Sequence, residues 1–393
     1  MLILGIDVSK SSIVVCPLSE KPDDVRSHFY DADFFYLEAN KQGINRLLRF
    51  EADIAIIEPT GTNYSKLWVE YLLESGCEVR LADHAKIRNY RKNHLGLPDK
   101  DDYADSLALA CYGWDYLNLP SKFVSLKQPK IAKLRSLVFR LNHLNNCQSP
   151  IINRIRQDLA WQFPEVALTR SQRRGEKPAL LWAFLAGEED STRYKNKLLD
   201  SVGLGLTNSV VFHAKRLCSI QREEGLIEKE LKTVICGDEF APYLDVFDRF
   251  QFGFRLNCLL LSQVFPFEKF LHDGQQIIKR SRGRRTKKRT KKNLSSRRFQ
   301  KCLGVAPSEE SSGDSKKKRV VGGSAECRKA LWLWVMTRLE VKRNRPDTEV
   351  CQQLIKQLDE EKSTGKPGRL IQSRISAKAV KLLYQELVKE LIK

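Results

Sequence analysis

Apolar residues run in short blocks at the start of the chain and in helical steps further on. LILGIDV (2–8) and SIVVCP (12–17) are rich in β-branched residues and predict two strands around a turn. ADIAIIEPTG (52–61) predicts a buried strand that enters a Pro-Thr-Gly turn. In TNYSKLWVEYLLESG (62–76), Tyr64, Leu67, Trp68, Tyr71 and Leu72 recur at helical spacing, which predicts a helix burying that face and closed by Gly76. CEVRLAD (77–83) reads as the next strand, and a helix is expected to begin near Lys100. Strands alternating with helices over about 120 residues predict an α/β sheet domain.

After Pro120 the strand pattern stops. Leu134, Leu137, Val138, Leu141 and Leu144, continued by Ile151, Ile155 and Leu159, predict an amphipathic helix of coiled-coil type, interrupted near Pro150. A second helical stretch (208–235) is expected to pair with it in a hairpin held by core packing, a dimer seam being the alternative. The segment 279–298 contains almost nothing apolar and is expected to be disordered without a partner. A polar, charged helical tail closes the chain. The expected domains are 1–120 (sheet), 121–244 (helical coiled coil), 245–346 (mainly helical, with the basic insertion) and 347–393 (tail).

Composition narrows the function. Of 393 residues 42% are hydrophobic and 30% charged, with no uninterrupted apolar run long enough to span a bilayer. The apolar start lacks a basic leader and a cleavage site, so a cytoplasmic, nucleoid-associated protein with no membrane partner is expected. Sixty-eight Lys and Arg against 48 acidic residues give a net charge of +20, which points to a polyanionic partner. The densest cluster, Arg282, Arg284, Arg285, Lys287, Lys288, Arg289, Lys291 and Lys292, is the expected phosphate-binding element; a localisation signal or a solvated loop is the plainer reading. Ten cysteines are scattered without a C-x-x-C pair and six histidines are dispersed, so neither zinc nor disulfides are expected. Cys16, Cys77, Cys111 and Cys258 sit among apolar residues as small hydrophobes.

Against that charge, GLPDKDDYADSLALA (96–110) crowds together Asp99, Asp101, Asp102 and Asp105. Asp99 and Asp101 suit a helix start, where the dipole favours acids. Asp102 and Asp105 are three apart and point the same way on a helix, while Ala104, Leu107, Ala108 and Cys111 supply its apolar face. Asp7 and Glu58 end apolar strands, where a carboxylate is costly unless paired or coordinated. A helix laid across neighbouring strands can join all four, giving a hard-oxygen set suited to two Mg2+ ions about 4 Å apart.

The series GIDVSK, IIEPTGTNYSKLWVEYLLESGCEV and KDDYADSLALA resembles the N-terminal domain of the DEDD transposases of insertion sequences, a family that also holds the Piv-type DNA invertases. The resemblance aligns Asp7, Glu58, Asp102 and Asp105 with the family's four acids. Its Lys-Thr-Asp-x-x-Asp-Ala pattern reads here Lys100-Asp101-Asp102-Tyr103-Ala104-Asp105-Ser106, with departures only beside the acids. Near the other end, KCLGVAPSEESSGDSKKKRVVGGSAECRKAL resembles the family's second catalytic segment. Ser312 matches its nucleophilic serine, Ser311 being the adjacent alternative, and Gly323 and Arg328 match its later Gly and Arg. Asp314 stands where a Gly is usual and Cys327 where Leu is.

The resemblance implies a RuvC-like, RNase H-type N-terminal domain and a transposase acting as a site-specific recombinase. In that chemistry the carboxylate-bound Mg2+ activates the phosphodiester and the serine attacks it. The implied partners are donor and target DNA, a non-coding bridge RNA that pairs with both, and further copies of the chain in a dimer or tetramer. Two other readings stand beside it: a Mg2+-dependent RuvC-like junction nuclease that needs no serine, and an inactive nucleic-acid-binding relic.

Overall fold

The computed structural model describes residues 1–59, 63–97, 99–124, 128–282, 289–312 and 315–392, with the backbone alone at 309–312 and 315–319. The chain divides into two compact units, Met1–Lys127 and Gln128–Lys393.

The first unit contains β1 (Ile3–Val8), β2 (Ser12–Leu18), α1 (Val25–Asp31), β3 (Phe35–Glu38), α2 (Lys41–Leu48), β4 (Ile54–Ile57), α3 (Lys66–Glu74), β5 (Glu78–Leu81), α4 (His84–Asn93) and α5 (Asp102–Asp115). The sheet order is β3-β2-β1-β4-β5, with β2 antiparallel to both neighbours and β1, β4 and β5 parallel. This is the RNase H-like sheet expected. Because side chains alternate along a strand, the sheet sorts its residues to two faces. Leu4, Ile6, Val8, Ala55 and Ile57 pack under α2 and α3, whereas Ile3, Cys16, Ile54 and Ile56 pack under α4 and α5.

Helix α3 corrects one expectation. Only Trp68 and Leu72 are buried; Tyr64, Leu67 and Tyr71 are exposed, because the helix touches the sheet along a single i, i+4 line.

The second unit opens with α6 (Pro129–Gln162), α7 (Pro164–Ala167), α8 (Leu180–Leu185), α9 (Thr192–Leu199) and α10 (Asn208–Ile235). Helices α6 and α10 form the expected hairpin. Pro150 does not interrupt α6, which runs on for 34 residues. A proline removes one backbone hydrogen bond. Here packing on both sides offsets that loss: Leu134 to Leu144 sit in one core and Ile155 and Leu159 in another. Between the two cores lies a polar layer in which Gln148 Nε2 donates to Glu224 Oε1 (2.7 Å) and Gln221 Nε2 to Gln148 Oε1 (3.2 Å). Such a layer fixes helix register, since sliding the helices would strand buried polar groups.

Helices α11 (Ala241–Arg249) and α12 (Phe254–Val264), strands β6 (Ile278–Arg282) and β7 (Arg289–Asn293), and α13 (Leu294–Cys302) follow. Then come β8 (Pro307–Ser312), β9 (Ser315–Val320), α14 (Ala325–Trp334), α15 (Glu349–Lys362) and α16 (Gly368–Leu391). The final segment is not an appendage: Ile375, Ala379, Leu383 and Leu387 of α16 enter the same core as α6, α12 and α14.

The described part of the basic segment is ordered, contrary to expectation. β6 and β7 pair from Ile278↔Asn293 to Arg282↔Arg289, satisfying backbone groups without burying side chains. Their root is pinned by Leu294 N–H to Ile277 O (2.8 Å), Ile277 N–H to Ser295 Oγ (2.9 Å) and the buried Phe299. Arg284, Arg285, Lys287 and Lys288 lie outside the described residues. No described helix is long and apolar enough to cross a membrane, and no disulfide joins two of the described cysteines.

Candidate functional site

Strand parity places two acids on one face. Asp7 follows Ile3 and Gly5 onto the α5 side of β1, and Glu58 follows Ile54 and Ile56 onto the same side of β4. The parallel register pairs Ile6 with Ile57, so Asp7 and Glu58 are level one residue later.

Helix α5 runs antiparallel to β1 above them. Ideal Cβ atoms show the crossing: one on Gly113 would lie 3.0 Å from Ile3, and one on Gly5 only 1.9 Å from the Ser106 carbonyl oxygen and 2.4 Å from the Ala110 nitrogen. Gly5 is therefore what lets the helix backbone settle on the strand. Continuing in the same direction brings the first turn of α5, with Asp102 and Asp105, over Asp7. Asp101 caps that turn by accepting from Tyr103 N–H (2.6 Å).

The electrostatics agree with this geometry. The Asp7 carboxyl is pushed up to about 7, chiefly by burial and then by the nearby charges of Asp102, Asp105 and Glu58. Burial also holds Asp105 above the usual carboxylate range, although Arg91, Lys100 and His84 draw it down. Glu58 is buried, Asp7 and Asp105 are half-buried and Asp102 is exposed, so the corner whose like charges raise Asp7 opens to water on the Asp102 side.

Two side chains of α4 engage two of these acids. His84 Nδ1 contacts Glu58 Oε1. Arg91, only 2% exposed, sets Nε 2.7 Å from Asp105 Oδ1, in an ion pair whose N–H is not aligned as a hydrogen bond. Its Nη1 donates to Leu97 O (3.3 Å), and Leu97 N–H returns to Arg91 O (3.0 Å), tying α4 to the loop before α5. No group of three or more His, Cys, Asp or Glu among the described residues is arranged to hold a metal ion. The donor chemistry is nonetheless of the kind such an ion takes: four carboxylates, one of them held back from ionising by burial and by its acidic neighbours, are hard-oxygen donors. Sequence reasoning missed Gly5, His84 and Arg91. The signal for the last two was polar side chains beside the helical apolar positions Ile87 and Tyr90.

Ser312 belongs to the second unit, at the end of β8, where the backbone pairs Ser312 with Ser315 and Ser311 with Lys316. Gly313 and Asp314 lie outside the described residues. The neck of this hairpin is built by the matched residues. Gly323 (φ +68°) and Gly304 (φ +71°) cross so closely that a Cβ on Gly323 would stand 1.9 Å from Lys301 O. Arg328 Nη1 donates across the neck to Gly304 O (2.9 Å). Arg282, Arg289, Lys291 and Lys292 are exposed on the β6–β7 hairpin.

Residues 4–164 match a family model described as a transposase, of the IS110 DEDD type, and residues 286–349 match the transposase IS116/IS110/IS902 family. The first segment contains all four acids, and the second contains Ser312, Gly323 and Arg328. Two solved structures are similar over 32% of this chain and 100% of theirs: Thermus thermophilus RuvC, at 15% identity and TM-score 0.23, and T. thermophilus RuvC in complex with Holliday junction substrate, at 13% and 0.23. No curated protein matches.

Proposed function

The chain belongs to the IS110 family of DEDD transposases, enzymes that cleave and rejoin DNA, and from that premise we propose that Asp7, Glu58, Asp102 and Asp105 hold a pair of Mg2+ ions while Ser312 attacks the phosphodiester. The observation that carries the reading is that strand register sets the half-buried Asp7 level with Glu58 beneath the first turn of α5, where the neighbouring acids add to burial in raising it to about 7. Bound Mg2+ would supply charge neutralisation and polarisation of the phosphate at this point.

The chain's own residues do the rest. β1 and β4 fix Asp7 and Glu58 on rigid backbone, and the Asp101 cap and Arg91 hold α5 and Asp105 in place. The Ser312 Oγ–P bond forms as one P–O bond to deoxyribose breaks; the seryl proton leaves to solvent and the departing oxygen takes one up. The result is a protein–DNA ester that a second deoxyribose hydroxyl reverses during strand exchange. Donor and target DNA, a structured non-coding RNA that pairs with both, and further copies of the chain complete the proposal. The basic β6–β7 hairpin, including Arg282, Arg289, Lys291 and Lys292, contributes phosphate contacts.

The test is a denaturing gel of protein incubated with element-end DNA, RNA and Mg2+. Wild-type protein should give a covalent adduct that Ser312→Ala and Asp7→Asn each abolish, with Ser311→Ala retaining it. Cutting by Ser312→Ala at the wild-type rate, without adduct, would instead support the metal-dependent nuclease reading.

A further inference from the structure

The β6–β7 hairpin carries cations in a pattern that folding alone disfavours. Of its five cross-strand pairs, three set cation against cation: Lys279↔Lys292, Arg280↔Lys291 and Arg282↔Arg289. Like charges directly opposite destabilise a ribbon. No acidic residue occurs between Asp273 and Glu309, and none of these six cations forms an ion pair among the described residues. Parity separates them. Arg280, Lys291, Arg282 and Arg289 share one face, while Lys279 and Lys292 share the other with a Ser281–Thr290 hydroxyl contact of 3.1 Å.

Resting on the nucleic-acid role proposed above for this hairpin, we infer that β6–β7 enters the major groove of duplex DNA with its four-cation face toward the base edges. The groove, about 12 Å wide, admits a two-stranded ribbon, and Arg is the side chain best matched to guanine O6 and N7. The A-form groove of duplex RNA is too deep and narrow for the same insertion. Single-stranded RNA is read by stacking on aromatic side chains, and residues 274–298 contain no Phe, Tyr or Trp. Charge complementarity and the absence of stacking groups therefore favour duplex DNA over RNA.

The experiment uses the full-length protein in EDTA, so that nothing is cut. Its affinity for a guanine-containing 30-base-pair duplex and for a folded RNA is followed by fluorescence anisotropy at several KCl concentrations, and guanine N7 protection by dimethyl sulfate footprinting. In Arg280→Thr/Lys291→Thr, loss of two phosphate-range cations should make the fall in duplex affinity between ~50 and ~200 mM salt roughly ten-fold smaller than in wild type. Guanine N7 protection should vanish and RNA affinity stay unchanged. Lys279→Thr/Lys292→Thr should keep the protection. Both variants should melt no lower than wild type, since each relieves a repulsion.

Retained N7 protection in Arg280→Thr/Lys291→Thr overturns the groove assignment. A salt effect seen with RNA alone overturns duplex DNA as the partner while leaving the hairpin a nucleic-acid contact. No change with either polymer removes the hairpin from nucleic-acid binding altogether. The adduct assay on Asp7 and Ser312 is independent of all three outcomes.

Discussion

Asp7 ends a buried strand with a side chain that the fold would rather keep protonated. Raising its carboxyl from the usual range to about 7 means that ionising it costs the folded protein on the order of 4 kcal/mol at neutral pH. The sign follows from proton binding. Below the unfolded value near 4 the penalty is absent, and it grows as pH climbs to about 7, where it is complete. Asp7→Asn in EDTA should therefore melt above wild type at pH 8, with the difference fading towards pH 4, and millimolar Mg2+ should raise the melting temperature of wild type but not of the variant. Arg91 has the complementary role. Removing it in Arg91→Met takes the nearest counter-charge from the half-buried Asp105, at a cost of about 3 kcal/mol in urea unfolding. Adding Asp105→Asn should recover much of that loss. Asp7 and Glu58 were singled out from the sequence, because a carboxylate at the end of an apolar strand stands out. Arg91 and His84 were not, since a polar side chain on a polar helix looks solvated until the helix is docked.

At the level of elements, the site depends on how closely α5 approaches β1. A methyl group on Gly5 would overlap the Ser106 carbonyl, which is helix backbone and cannot rotate away. Gly5→Ala should accordingly cost on the order of 3 kcal/mol in urea unfolding and abolish strand cleavage, because the first turn of α5 is lifted off Asp7. Two elements show where local pattern misleads. Pro150 reads as a helix breaker, yet α6 continues through it because α10 and its neighbours pack on both sides. The apolar stripe of α3 reads as a broad buried face, but only Trp68 and Leu72 find partners. Local propensity sets what an element prefers; packing decides how much of that preference is used.

For the whole molecule, the sheet of the first unit is covered on both faces by its own helices, and both of its apolar clusters lie within residues 1–127. Residues 1–127 expressed alone should therefore unfold in one cooperative thermal transition. The second unit is different in kind. One core runs from Ile131 on α6 to Leu387 on α16, so the last helix is as structural as the first.

By itself the sequence determined the sheet domain and the long helical pair, and it singled out the four acids that the proposal uses. These depend on alternation, on helical spacing and on the cost of burying a carboxylate, all of which act over a few residues. Tertiary structure alone decided that Gly5 would admit α5, that α4 would supply Arg91 and His84, that the basic segment would pair as a ribbon, and that the tail would enter the core. Each of these joins residues far apart in the chain through a close approach or a shared apolar surface, and no local pattern encodes which distant surface will be there to meet it.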